Sequence, residues 1–163
     1  MATDAFERAL SEHGGLIARI VATFESDPAL REDLQQEVAL ALWRAAGSWR
    51  GDCSLRTFVA RVTHNVCVSY VRKVAREPRR DALDPALPTD AETPDETAAR
   101  NDLGRRLLAA VSALPPGLRE VATLTLEGFS TEEIAQTLGV SDGAVFTRVS
   151  RAKAALRSLL VTT

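Results

Sequence analysis

An all-α fold is predicted, built as two small helical units, and three observations predict it. Apolar residues recur at three- and four-residue spacing in both halves of the chain, no segment shows a convincing period of two, and a proline- and acid-rich stretch divides the sequence near its middle. The first unit is placed at residues 1–76 and the second at residues 99–163, with residues 77–98 as a flexible tether. Units this short bury modest cores, so each is expected to be a compact bundle of three or four helices.

The start, Met-Ala-Thr-Asp-Ala-Phe-Glu, is acidic and lacks the basic head and apolar run of a secretory signal. No run of 18 apolar residues occurs, so neither membrane insertion nor a transmembrane helix is expected, and the chain is placed in the cytoplasm. In the first unit Leu34, Val38, Ala41, Leu42 and Ala45 form one inward seam, and Leu55, Val59, Val62, Val66 and Tyr70 a second. The tether carries Pro78, Pro85, Pro88 and Pro94 together with seven acidic residues between positions 77 and 97. Proline blocks helix continuation and like charges keep such a segment extended. The isolated chain is therefore expected to sample a broad range of domain arrangements. In the second unit Leu103, Leu107, Val111 and Leu114 form a seam that Pro115-Pro116 terminates.

Residues 129–157 spell a helix-turn-helix. Ser130 with Glu133 forms a capping box, Ile134 and Leu138 an apolar pair, and Ala135 leaves room for a close crossing. Gly139 falls where the chain reverses with positive φ, and Ser141 caps the next helix. There Val145, Val149, Ala152 and Leu156 turn inward, while Arg148, Arg151, Lys153 and Arg157 put cations on and beside the outer face, an arrangement suited to the DNA major groove. A plain helical hairpin with a solvated basic face shares some of these features but needs neither both caps nor the small residue at the crossing.

The net charge of −2 argues against a nucleic-acid ligand until its distribution is read. Residues 1–43 carry −5, residues 44–80 carry +7, residues 81–102 carry −6 and residues 103–163 carry +2. The basic stripe is a phosphate footprint that the global charge conceals. Two pieces of the first unit stand out. Asp33, Gln36 and Glu37 lie on the polar side of the Leu34–Val38–Leu42 seam, a surface suited to a partner protein, although a solvated face would look the same. The loop Ser48-Trp-Arg-Gly-Asp-Cys-Ser precedes a helix with a basic end; Gly51 permits a tight turn, and Asp52, Ser54 and Asn65 offer hydrogen-bonding groups for a base edge. Aromatic and cationic neighbours suit unstacked, single-stranded DNA.

Taken together these residues resemble the extracytoplasmic-function (ECF) sigma factors of bacterial RNA polymerase. Asp33-Leu34-Gln35-Gln36-Glu37, the loop Trp49-Arg50-Gly51-Asp52 with Ser54-Leu55-Arg56-Thr57-Phe58, Asn65, and Tyr70-Val71-Arg72-Lys73 resemble sigma region two. Leu114-Pro115, Arg119-Glu120, Glu127-Gly128, Ile134-Ala135, Leu138-Gly139 and Val145…Arg148…Ser150-Arg151-Ala152 resemble region four, in order. The resemblance covers nearly the whole chain except the tether and the ends. It implies a promoter-recognition subunit that binds core RNA polymerase through Asp33, Gln36 and Glu37. It implies melting of the minus-ten element through Trp49, Arg50, Gly51, Asp52, Ser54, Asn65, Arg72 and Lys73, and reading of the minus-thirty-five element through Ser141, Gly143, Phe146, Thr147, Arg148 and Arg151. Extruding bases from a duplex costs a few kcal/mol each, which pockets must offset. An anti-sigma factor is the implied inhibitor.

The chain departs from the family at Phe146, where Lys or another polar residue is usual, and at Phe58, where Trp is usual. No further C-terminal domain is expected beyond Leu160. No cofactor, metal or catalytic role is expected: His13 and His64 lack catalytic or metal-ligand company, and His64 is read as a DNA-facing or surface residue. Cys53 and Cys67 are read as free thiols. Trp43 and Trp49 are read as packing anchors, Trp43 the more so. A stand-alone helix-turn-helix regulator binding an operator is the rival reading; it leaves the 33–37 signature and the Gly51 loop unexplained. An enzyme is the weaker rival.

Overall fold

The structure, a computed structural model, describes residues 1–77 and 95–162, with side chains in the second stretch from residue 99 onward. Most of the predicted tether, residues 78–94, lies outside the described residues. Among the described residues there are seven α-helices, one short 3-10 turn and no strand.

The first unit is α1 (Ala2–Phe24), α2 (Pro28–Ala45), a 3-10 turn (Ala46–Ser48) and α3 (Leu55–Arg76). Along α1, Ala5, Ala9, Leu16, Ile17, Ile20 and Val21 are buried on one stripe. The connection to α2 is held by Asp27, whose carboxylate accepts from the amides of Ala29 and Leu30 at 2.8 and 3.4 Å, with Pro28 supplying the preset first turn. Leu34, Val38 and Leu42 of α2 are fully buried, as their spacing predicts. Ser54 caps α3 by accepting from the Thr57 amide at 3.1 Å.

The α3 seam differs from the predicted one in its second half. Val59, Thr63 and Cys67 are wholly buried, whereas Val62, Val66 and Tyr70 are half-buried. The reason is that α1 and α2 flank α3 from two sides, so the deepest line is displaced to one side of the predicted seam; Thr63 is tolerated there because its hydroxyl donates to the Val59 carbonyl at 2.7 Å. Burial pushes the Cys67 thiol up to about 12, which makes it inert at neutral pH.

The second unit is α4 (Asp95–Ser112), α5 (Pro116–Leu126), α6 (Thr131–Leu138) and α7 (Asp142–Val161). Val111 and Leu114 are buried, but Leu103, predicted inward, is 62% exposed. It belongs to the outer turns of α4, ahead of the stretch from Leu107 that meets the core. At the end of α5, Gly128 adopts φ +81 and the Phe129 amide reaches the Leu124 carbonyl at 3.0 Å, closing the helix with a left-handed cap.

The two units do not stand apart. A contiguous core runs from Ala9 through Phe58 to Phe129, Ile134 and Ala152. α6 packs on α3, and α1 touches both α4 and α5. Two arginines fasten the contact: Arg19 holds the Glu127 carboxylate with two bonds of 2.6 and 2.9 Å, while Arg56 donates to the Glu127 carbonyl and lies 4.0 Å over the Phe129 ring. In this structure the two units meet in a clasped form. Its physical basis is the burial of Phe129 beneath a cation, reinforced by a bidentate ion pair.

Candidate nucleic-acid interface

Helix α7 is oriented by two local devices. In α6 the Ser130 amide donates to the Glu133 carboxylate at 2.8 Å and the Glu133 amide to the Ser130 hydroxyl at 3.2 Å, a complete capping box. The chain then reverses at Gly139 with φ +68, where a side chain would be strained, and Ser141 caps α7 by accepting from the Ala144 amide at 3.2 Å. Val145 and Ala152 are buried, so the opposite side of α7 is presented outward.

Gly143, Phe146 and Thr147 share that outer face with Ser150, at positions i, i+3, i+4 and i+7, and all four are exposed. Ser150 completes the row and was legible in its spacing, although it is absent from the predicted set. Arg151 is exposed beside the row. Arg148 is half-buried and its charge acts on Glu120 of α5. Burial pushes the Glu120 carboxyl above the usual range, and Arg148, then Arg119, pull it back. Arg148 therefore sits at the boundary between core and groove. Ser141 is exposed; its hydroxyl oxygen accepts from the Ala144 amide and its carbonyl from the Val145 amide at 3.1 Å, which leaves the hydroxyl hydrogen as its free donor.

In the first unit, Asp33, Gln36 and Glu37 are exposed on α2, and the second unit does not cover them. Arg50, Gly51, Asp52 and Ser54 are exposed in the loop, where Gly51 has φ +82. Trp49 is half-buried against Phe58, ring centroids 6.2 Å apart, and its indole N–H donates to the Cys53 carbonyl at 3.0 Å, so it pins the loop. Trp43 reverses its expected role: it is 53% exposed and meets Phe6 edge-on at 5.2 Å, because it follows Leu42 on the outer shoulder of α2. His64 is a correction of the same kind. It is half-buried against Phe24 at 6.4 Å, and burial lowers its pKa.

The predicted minus-ten set is not gathered into one place. Trp49 and Arg50 line a hollow with Met1, Asp4, Ala5 and Ala46. Asn65 and Lys73 instead line a groove of about 480 Å³ between α2 and α3, shared with Glu37, Leu40, Arg44 and Tyr70. Arg72 is exposed near the basic end of α3. The groove thus joins a residue expected to meet polymerase with residues expected to meet DNA. Sequence reasoning missed the clasp altogether: its partners stand 108 and 71 residues apart, and no local pattern connects them.

Helix-turn-helix, basic helix end and polar α2 face together define a DNA-binding protein of two helical units. Residues 9–77 match the family model described as sigma-70 region 2, and residues 104–156 match that described as sigma-70, region 4. The sigma factor CarQ of Myxococcus xanthus is 31% identical over 164 residues, covering 98% of this chain and 91% of that protein. The ECF sigma factor SigE of Mycolicibacterium smegmatis is 29% identical over 98% of this chain. The chain spans 63% of the length of SigE and 40% of that of another relative, the probable sigma factor RfaY of Xanthomonas campestris. Among solved structures, CnrH in complex with the cytosolic domain of CnrY superposes with a TM-score of 0.70 at 28% identity, covering 99% of this chain and 95% of that one. The chain belongs to the RNA polymerase sigma factors, in the ECF group.

Proposed function

We propose that this chain directs core RNA polymerase to specific promoters, with the first unit binding core and opening the minus-ten element and the second reading the minus-thirty-five element. The observation that carries this reading is the pairing of two uncovered faces on one chain: Asp33, Gln36 and Glu37 on α2, and the Gly143–Phe146–Thr147–Ser150 row on α7. Arg50, Asp52 and Asn65 serve the separated strand, with Arg72 and Lys73 on its phosphates. Arg148 works at the base-edge boundary and Arg151 on phosphate. Promoter recognition is a binding task and asks for no catalytic group.

The clasp sets a condition on this function. Elements centred near minus ten and minus thirty-five lie about 25 base pairs apart, roughly 85 Å at 3.4 Å per pair. A compact chain of this length has a radius of gyration of about 15 Å, so the clasped form cannot engage both elements at once. Binding to core must therefore open it. A protein inhibitor that favours the closed form would hold the chain inactive, and the likeness to CnrH, solved with the cytosolic domain of CnrY, supports such an anti-sigma partner. In vitro transcription with core polymerase on a randomised promoter pool tests the proposal. Transcripts starting downstream of one shared pair of elements are expected; equal transcription without this chain would refute it.

A further inference from the structure

Phe146 is anomalous in the otherwise polar outer row of α7. It is 73% exposed, the largest exposure of any aromatic side chain among the described residues, and makes no ring contact there. Packing does not explain it: Val145 beside it is fully buried and fills the inward position. Its surroundings are open as well. Gly143, one turn earlier, has no side chain, and a methyl group added there would meet nothing within 4 Å. Thr147 is exposed beside it, and Ser150 lies one turn on. The row therefore presents one bulky apolar ring with a cleared space on its N-terminal side, bordered by Arg151 and Lys153, which can fix the helix on phosphate.

A phenyl ring can form no hydrogen bond to a base edge. The major groove offers it one apolar feature, the C5-methyl of thymine. Resting on the promoter-recognition reading above, we infer that Phe146 is a specificity-determining residue that packs on a thymine methyl in the upstream element. The cleared space over Gly143 lets the base pair approach the helix closely enough for that contact, and Thr147 is exposed beside the ring. A cationic residue at position 146 would instead favour the O6 and N7 acceptors of guanine, so the ring moves the preference at that base pair from guanine toward thymine.

The test begins with a duplex library randomised across the upstream element, selected by holoenzyme assembled from this chain and bacterial core polymerase. In the best-enriched duplex each thymine is then replaced singly by deoxyuridine, which removes only the methyl. Wild-type holoenzyme should lose about four-fold in affinity at one or two neighbouring positions, the worth of one buried methyl-sized group. Phe146→Ala holoenzyme should bind the thymine and deoxyuridine duplexes within two-fold of each other, and Phe146→Lys should enrich guanine at that position when reselected. Melting curves of the free variants serve as the folding control, and the ring's exposure predicts them unchanged. Equal methyl dependence in wild type and Phe146→Ala, or none in wild type, overturns the assignment while leaving the promoter reading standing. A library that yields no upstream element at all would refute the promoter reading, and the Phe146 assignment with it.

Discussion

The surfaces proposed to face DNA in the two units are built in different ways. The α7 surface is a single row on one helix, fixed by a capping box, a left-handed glycine and a serine cap that all lie between Ser130 and Ala144, next to it in sequence. The surface expected to open DNA is split between a loop pinned by Trp49 and a groove walled by α2 and α3. A one-helix surface inherits its geometry from local sequence; a split one exists only once the unit has packed. The first should tolerate substitution of its outer residues without structural loss, and the second should show coupling between its parts only where they share a groove.

The largest effects come from removing the devices that aim α7. Ile134→Ala takes a 2% exposed side chain from the α6 contact and should cost about 2–5 kcal/mol, and Gly139→Val should cost at least ~1–2 kcal/mol through its positive φ. Both should abolish upstream binding, as read by denaturant titration and promoter footprinting. On the outer face, Arg148→Ala should relax specificity at one position and cost about 1–3 kcal/mol, whereas Arg151→Ala should weaken all sequences alike and lower the salt slope by about one. An unchanged specificity profile for Arg148→Ala would place it with the core instead.

In the first unit, Asp52→Ala and Asn65→Ala should each reduce open-complex formation more than initial promoter binding. Asn65 lies ten residues along α3 from Leu55, about 15 Å, so the double variant should be additive within ~0.5 kcal/mol. Asn65 and Glu37 share a groove, and their double variant should depart from additivity. Asp33→Ala with Gln36→Ala should weaken core binding while changing stability by no more than about 0.5 kcal/mol, since both residues are exposed.

Smaller effects probe the clasp and the interior. Arg56→Ala with Glu127→Gln should enlarge the free chain in small-angle scattering while leaving the α7 row intact, because the partners lie between units and away from that row. His64 gives a pH signature. Burial lowers its folded pKa below the unfolded value near 6.5, so below pH 6.5 the unfolded chain binds the extra proton and stability falls. His64→Gln should flatten the decline between pH 7.5 and 5.5.

Local patterns carried much of the fold into view. The Leu34–Val38–Leu42 seam, the Ser130–Glu133 box, Gly139 and the inward Val145 and Ala152 are short-range signals, and each stands where its spacing placed it. What the sequence left hidden depends on tertiary packing. The deepest line of α3 shifted to Val59, Thr63 and Cys67 because two helices share it, and Leu103 lost its inward place because its turns lie ahead of the core contact. Trp43 departed from its expected packing role, while Trp49 kept it, because a tryptophan's periodicity says nothing of whether a neighbouring element covers it. The clasp of Arg19 and Arg56 on Glu127 and Phe129 joins residues of the two units that no local pattern connects.

The central claim is that one surface positions the chain on duplex DNA while the other opens it. Permanganate footprinting of holoenzyme on a selected promoter tests both at once. Wild type should leave reactive thymines at the minus-ten element beneath an occupied upstream element, and Asp52→Ala with Asn65→Ala should keep the occupancy and lose the reactive thymines. A normal bubble in that double variant, or full promoter occupancy by the chain without core polymerase, would contradict the account.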